Sequence, residues 1–330
     1  MLNEVGVAVV GCGGIADAHF EAIASLGHVR LVATIDVDED RARDAASKRG
    51  AERWYTSVAP ALENDAIDGY ILCLPHHVHA DVALPILAAK RHVLVEKPMA
   101  LTLSEAQSMV DCAAQNGVIL MSGQVLRHRP LYQRAKQRIA AGEIGTPVHS
   151  IRRRLIWHKS IATPWATDPE KAGGWMLYGF GAHEVDIALW LIEQEAETVF
   201  ALGLKNNPIW SDYDECTIVM SLREGRMATV ELSLNARPSA WESLIIGSEG
   251  SMYLRENSIT VGDEVEEVPF SDGFVAQMEA FAHAIATGEP PDASGADVLK
   301  RCILPLEGAK RSLATGAKVH FEGEQLWTAS

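Results

Sequence analysis

Val5-Gly6-Val7-Ala8-Val9-Val10 runs without interruption into Gly11-Cys12-Gly13-Gly14-Ile15-Ala16. The first hexapeptide is apolar throughout and carries β-branched residues at alternate positions, the pattern of a short strand buried on both faces. The second has small residues where a strand-to-helix turn that holds a dinucleotide needs them. Gly11 permits the tight turn, Gly13 lets the backbone approach a pyrophosphate, and Ala16 packs helix on strand, with Gly14 and Ile15 completing the loop. A second strand, Leu31-Val32-Ala33-Thr34-Ile35-Asp36, ends in an acid. A carboxylate there accepts hydrogen bonds from the adenosine ribose hydroxyls. Asp36, with Asp38 beside it, would repel an extra ribose phosphate, so the expected cofactor is NAD rather than NADP. Arg41 and Arg43 are the nearby cations that would have to swing back to reverse that choice.

The same alternation continues for about 120 residues. A third element surrounds Trp54-Tyr55, and Tyr70 to Leu74 reads as a fourth strand ending at Pro75. Asp81 to Ala89 reads as a helix, His92 to Val95 as a fifth strand, Ser104 to Gln115 as a helix with a serine cap, and Val118 to Met121 as a sixth strand. Strands alternating with helices predict a parallel sheet wrapped by helices. The fifth strand runs into Glu96-Lys97-Pro98. A lysine at the end of a buried strand loses hydration and is retained only when paired or used. In this fold its position points to the crevice that receives a nicotinamide, which makes Lys97 the leading catalytic candidate. Pro75-His76-His77-Val78-His79 closes the fourth strand. With no cysteine or carboxylate near it in sequence, the segment reads as a wall beside the nicotinamide rather than a metal site.

The pattern then changes. Pro130 to Ala141 reads as a helix, Gly173 to Leu191 contains another, and roughly 198–268 reads as strands joined by turns. The clearest hairpin there pairs Cys216–Leu222 with Met227–Leu234 around Glu224-Gly225. Two helices near Phe274–Thr287 and Asp297–Thr315 close the chain. The expected division is 1–122 for the dinucleotide-binding domain and 123–330 for a substrate-binding and oligomerisation domain.

Composition sets limits on function. The 330 residues suggest two domains, and 48% apolar with 22% charged residues can bury sizeable cores. A formal charge of −15 disfavours nucleic acid and anionic membranes as partners. Five dispersed cysteines without metal or redox spacing suit a reducing, cytoplasmic setting. No stretch approaches the ~18 apolar residues of a membrane span.

In the second half, Gly173-Gly174-Trp175-Met176-Leu177-Tyr178-Gly179-Phe180-Gly181-Ala182-His183-Glu184-Val185-Asp186 opens a helix. His183 near its start suits proton transfer, and Asp186 one turn on would orient the imidazole or hold it in a core. Trp157 and Trp165, near Trp175, offer indole faces for the C–H faces of a polyol. The run Arg152-Arg153-Arg154 lies on a strand, so alternate members face opposite sides.

Taken together, these segments resemble the glucose–fructose oxidoreductase / inositol dehydrogenase / MocA family over essentially the whole chain. The matching pieces are the fingerprint at 11–16, Pro75-His76-His77-Val78-His79, His92-Val93-Leu94-Val95-Glu96-Lys97-Pro98, Leu126-Arg127 before Pro130, the Gly-Gly to His183 and Asp186 segment, and Gly247-Ser248-Glu249-Gly250-Ser251. The resemblance implies an α/β Rossmann domain with a parallel sheet, followed by an α+β domain on a large, open, mostly antiparallel sheet. Dimers or tetramers would assemble through that second sheet. It also implies an oxidoreductase that moves hydride between NAD and a hydroxyl or carbonyl carbon of a sugar, cyclitol or related polyol. Lys97 and His183 would be catalytic. Cofactor contacts would come from Leu74, Pro75, His79, Glu96 and Lys97 besides the fingerprint, Asp36 and Arg41. Substrate contacts would come from Lys97, Gln124, Arg127, Trp157, Trp165 and His183. Two other readings share these residues: a cofactor-binding regulator without turnover, and a glycosidase that retains NAD. The family usually has an aspartate four residues before the histidine, where this chain has Gly179, and Trp175 stands at the third glycine of the family's run. Tyr178 is the neighbouring hydroxyl that would substitute.

Overall fold

The computed structural model describes residues 4–158, 163–322 and 325–328. The chain divides into two compact units, and the division is not a single cut. The first unit takes Met1–Val125 and then recovers Gly273–Val298, while the second holds Leu126–Asp272 and Leu299–Ser330. The recovered segment includes a helix that sequence alone groups with its neighbours in the C-terminal half.

In the first unit the strands are β1 (Val5–Val10), β2 (Val29–Ile35), β3 (Arg53–Tyr55), β4 (Gly69–Leu72), β5 (His92–Glu96) and β6 (Leu120–Gly123). The helices between them are α1 (Ala16–Ala24), α2 (Glu39–Arg49), α3 (Val58–Ala61), α4 (His79–Ala88) and α5 (Leu103–Asn116). The strands form one six-stranded sheet in the order β3-β2-β1-β4-β5-β6, every pair parallel. All of β1 is buried, as its unbroken apolar run requires. Gly6 is in β1 because a Cβ there would stand 1.9 Å from the Ala66 carbonyl oxygen. Several boundaries differ from the sequence reading by one to three residues: β2 begins at Val29, β4 ends at Leu72, and α4 begins at His79. α5 is capped by Thr102, which shares a capping box with Glu105, rather than by a serine. The last strand starts two residues late, at Leu120, because Val118 still bonds back to the Ala113 carbonyl at the end of α5.

The second unit contains α6 (Pro130–Ala140), β7 (Pro147–Trp157), α7 (Pro169–Ala172), α8 (Gly181–Trp190) and the strands β8 (Ala196–Leu204), β9 (Glu215–Leu222), β10 (Met227–Ser233), β11 (Asn235–Gly247), β12 (Ser251–Arg255), β13 (Ser258–Val261) and β14 (Glu264–Glu267). Helices α9 (Phe274–Thr287) and α10 (Gly295–Val298) belong to the first unit. The second unit closes with α11 (Leu304–Thr315), β15 (Val319–Glu322) and β16 (Gln325–Thr328). Its ten strands run in the order β14-β13-β12-β11-β7-β10-β9-β8-β15-β16. Only β7 and β10 pair in parallel; the other neighbours are antiparallel. Among the described residues no helix is long and apolar enough to cross a membrane.

One face of this large sheet is covered by helices, and alternation assigns its residues. Arg152 pairs with Ser243 across β7 and β11, and Arg154 with Trp241; these point to the covered side. Arg153 points the other way, between Glu231 and Glu242. Helix α8 is fixed to the covered side by two buried ion pairs. The Arg152 Nε lies 2.5 Å from Glu184, and Arg127 grips Asp186 with two hydrogen bonds of 2.8 and 2.5 Å. Both Arg127 and Asp186 side chains are 0% exposed. Removing one partner of such a pair strands a charge away from water. Asp186→Ala is expected to lower stability by about 3–5 kcal/mol, read as a shift of the urea midpoint at unchanged slope. A loss of only a few tenths would mean that Arg127 finds other acceptors without cost.

Candidate functional site

The glycine turn has the geometry a dinucleotide needs. Gly11 sits at φ +88°, and a Cβ there would come within 2.3 Å of the Cys73 carbonyl oxygen, so the position admits only glycine. A Cβ on Gly13 or Gly14 would meet nothing within 4 Å, which leaves room over the loop for a ligand. The Ala16 N–H donates to the Gly13 carbonyl at 3.0 Å, and no side chain caps α1 at Ile15, the arrangement of a helix start that can face an anion. Asp36 ends β2, accepting the Cys12 N–H at 2.8 Å and the Asp38 N–H at 3.0 Å, which aims its carboxylate rigidly. Burial and the neighbouring Asp36 push the Cys12 thiol up to about 12, so it stays neutral beside the turn. These features fit a bound NAD. Arg41 is exposed and pairs with Asp38 at 3.3 Å, and Arg43 pairs with Asp40 and Glu39.

Lys97 follows β5 and is partly exposed, beside a residue anchored more firmly than sequence suggests. The Glu96 carboxylate is buried, accepts the Lys97 N–H at 3.1 Å, and lies 2.8 Å from the His19 Nε2. Burial alone would raise the Glu96 pKa. The hydrogen bond and charge of His19, with the Lys97 ammonium and N–H, outweigh it and hold the carboxyl below its ordinary value. Glu96 was expected among the cofactor contacts; in the structure it is bonded to His19 and to the turn that carries Lys97. His19 went unnoticed in the sequence because it occupies the buried stripe of α1 with Ala16, Phe20 and Ile23. A polar residue in an otherwise apolar stripe was the available signal. His79, fully buried, bridges the Leu74 carbonyl at 2.9 Å and the Pro98 carbonyl at 2.8 Å, tying the end of β4 to the lysine turn. Burial lowers its pKa against the pull of those carbonyls and of Glu96. Leu74 and Pro75 line this turn, partly exposed, and Gln124 is buried just after β6.

In the second unit, His183 is the third residue of α8 and partly exposed. Three expectations change here. Asp186 binds Arg127 bidentately, so the expected pairing of Asp186 with His183 gives way to an ion pair. Arg127, expected at the substrate, has no exposed side-chain surface. Tyr178 is also buried, and its hydroxyl reaches Glu307 of α11 at 3.3 Å, which argues against a proton-handling role. Trp157 is 43% exposed but lies under Arg237, 4.0 Å from its ring. It has the parity of Arg153 on β7, opposite to Arg152 and Arg154. Strand parity, legible in sequence once β7 is placed, separates it from α8. Trp165 does join the aromatic row before α8, edge-on to Trp175 at 5.6 Å, and Trp175 meets Phe180 at 6.0 Å. The Trp175 ring explains Gly179: a Cβ there would approach its ring atoms at 3.1, 3.2 and 3.4 Å. The indole fills the space in which a carboxylate at that position would begin. Among the described residues no cluster of three or more His, Cys, Asp or Glu is arranged to hold a metal ion.

Comparisons place these features in a class of enzymes. Residues 5–124 match the model of an oxidoreductase family with an NAD-binding Rossmann fold, and residues 132–253 match the GFO/IDH/MocA C-terminal domain. The chain belongs to the GFO/IDH/MocA family of oxidoreductases. Myo-inositol 2-dehydrogenase of Thermotoga maritima is 27% identical over 96% of this chain and 98% of its own. The NAD(+)-dependent scyllo-inositol 2-dehydrogenase of Bacillus subtilis is 27% identical over 99% of both chains. Among solved structures, GenD2 from gentamicin A biosynthesis in complex with NAD superposes with a TM-score of 0.87 at 25% identity, covering 98% of each chain.

Two outcomes test this geometry. A carboxyl whose pKa is depressed by folding stabilises the protein above its unfolded value and loses that contribution as pH falls. The stability advantage of the native chain over Glu96→Gln is therefore expected to be full at neutral pH and to shrink as pH drops below 4.5, followed by thermal melts. A constant difference would mean that Glu96 is buried protonated. For Gly179, the cost of Gly179→Asp is expected to fall in a Trp175→Ala background. The double-mutant coupling should be about 0.5–3 kcal/mol, and additivity would remove Trp175 as the reason for the glycine.

Proposed function

We propose that the protein is an NAD-dependent dehydrogenase that interconverts one hydroxyl and carbonyl of a sugar, cyclitol or related polyol, with Lys97 and His183 as its catalytic residues. The observation that carries this reading is the turn after β5. There a partly exposed lysine is held by a buried Glu96–His19 pair and by the His79 bridge, next to a glycine cradle that fits a dinucleotide. The similarity to inositol dehydrogenases supports the substrate class. Bound NAD supplies the acceptor for hydride. Lys97 holds the substrate oxygen and stabilises negative charge as the O–H bond weakens. His183 takes the proton released from that hydroxyl, while the C–H hydrogen leaves with its electron pair; reduction reverses both movements.

The preference for NAD over NADP rests on Asp36 and on Asp38, whose charge Arg41 only partly offsets. Five free thiols support a reducing, cytoplasmic setting. Assembly of copies through the uncovered face of the large sheet is supported by Leu202, 64% exposed, and Leu204 on β8, with Val219 exposed on β9 and Met227 on β10. The regulator reading gains its one argument from Gly179, packed against the Trp175 ring, at the position where the family usually has an aspartate.

Calorimetry and turnover with Lys97→Met separate these readings. The variant should bind NADH as the native chain does, each more tightly than NADPH, while turnover on any active polyol is lost. Near-normal kcat in the variant would make Lys97 structural. Tight NADH binding by the native chain with no turnover across sugars, cyclitols and their acids would favour the regulator.

A further inference from the structure

Within the second unit, the covered face of the sheet holds a cavity of about 320 Å³ beside the start of α6. Its walls include Arg129, Arg154, Trp241 and Phe270. The guanidinium of Arg154 lies 4.1 Å from the Trp241 ring and that of Arg129 5.0 Å from it, with Phe270 5.8 Å from Arg129. Carboxylates balance these cations only in part. Glu184 is the acid within reach of Arg154, at 3.4 Å, but it also takes Arg152 at 2.5 Å and the Trp241 N–H at 3.2 Å. Arg129 forms no ion pair among the described residues and donates to the Asp272 backbone carbonyl at 3.2 Å. The Arg154 Nε is buried without a hydrogen-bond partner. Three arginines, Arg129, Arg152 and Arg154, therefore face two carboxylates, Glu184 and the Asp272 side chain that acts on Arg129 from nearby, which leaves one positive charge in excess, and the turn residues Arg255 and Glu256 add charges that cancel. The same Arg154 guanidinium lies 5.1 Å from Phe180, the residue that leads into α8 and His183.

We propose that this cavity receives the carboxylate of an anionic polyol, a sugar acid or carboxylated cyclitol, and that such acids rather than neutral polyols are the substrates. Two guanidiniums offer fork-shaped donors that match a carboxylate, and the indole and phenyl faces suit the C–H face of the ring or chain that carries it. The volume lies at the lower end of the roughly 300–1,000 Å³ of small-molecule sites. The catalytic half of the proposal rests on the dehydrogenase reading; the binding half does not.

The test is calorimetry on the full chain, saturated with NADH, against a panel of aldonates, uronates and carboxylated cyclitols, each beside its neutral counterpart, and against inorganic phosphate. At least one acid should bind about tenfold or more tightly than its neutral counterpart and weaken with added salt. Arg129→Gln should reduce that acid's affinity by about tenfold or more, with NADH affinity and the melting temperature unchanged, and Arg129→Lys should recover part of it because charge returns without the fork. If Arg129→Gln fails to fold, the acid-to-neutral ratio and its salt dependence in the native chain decide the matter. Equal binding of acids and neutral polyols, or no effect of a folded Arg129→Gln, overturns the proposal. So does binding of phosphate without binding of any acid. Absence of NADH binding would instead overturn the dehydrogenase reading, and titration of the cofactor-free chain with the same acids would still judge the cavity.

Discussion

Two carboxylates on one helix, Glu184 and Asp186, hold the second unit in its working form. Each is fully buried, and a lone carboxylate there would lose most of its hydration, a cost of several kcal/mol after relaxation. Each is offset by a guanidinium bonded through its own donors. Asp186 takes the fork of Arg127, which follows directly on the first unit, and Glu184 takes Arg152 from the middle of the sheet. Arg152 is satisfied further by Tyr132 and Ser243, each at 2.8 Å. Because both partners of α8 are rigid, the start of the helix is placed to within the tolerance of short hydrogen bonds. Greasy packing of equal area would hold the helix without fixing its rotation. The charged pairs fix both, and His183, immediately before Glu184, inherits that orientation.

The first unit uses the same device on a smaller scale. Glu96 is buried at the end of β5, and its partners are one helix histidine and the backbone of the residue it supports. His79 adds a second tie between neighbouring strand ends. A turn held at three points keeps the base of the lysine side chain still. The return of α9 completes this unit. Phe274 sets its ring edge-on to His19 at 5.2 Å, and Phe281 packs against Gly69 at the start of β4.

Against the family pattern, the segment before α8 has traded a carboxylate for an indole. Trp175 rests on Gly179 and meets Phe180 and Trp165, and that row continues through Arg154 to Trp241. A pocket wall that loses one negative charge and sits among partly unbalanced arginines has a more positive field. The exchange at Gly179 and the arginines around Trp241 lie along one continuous row of aromatic and cationic side chains.

The sequence by itself determined the elements whose evidence is local. An apolar run meeting a glycine turn defines β1 and its helix, an acid ends β2, and a lysine follows the buried strand β5. Alternation of strands and helices was enough for the parallel sheet, and turn residues for the hairpin of β9 and β10. What only the tertiary structure decided involves partners distant in the chain. Sequence offered Asp186 a histidine three residues away; folding gave it an arginine 59 positions back, because a bidentate fork satisfies a buried carboxylate better than one imidazole nitrogen. His19 shows in sequence only as a polar residue in an apolar stripe, and its partner Glu96 arrives 77 positions later. Which side of β7 faced the helices could not be read from three consecutive arginines, since parity needs one placed reference. The passage of α9 into the first unit had no local mark at all: an amphipathic helix carries its apolar stripe, not the address of the surface that will cover it.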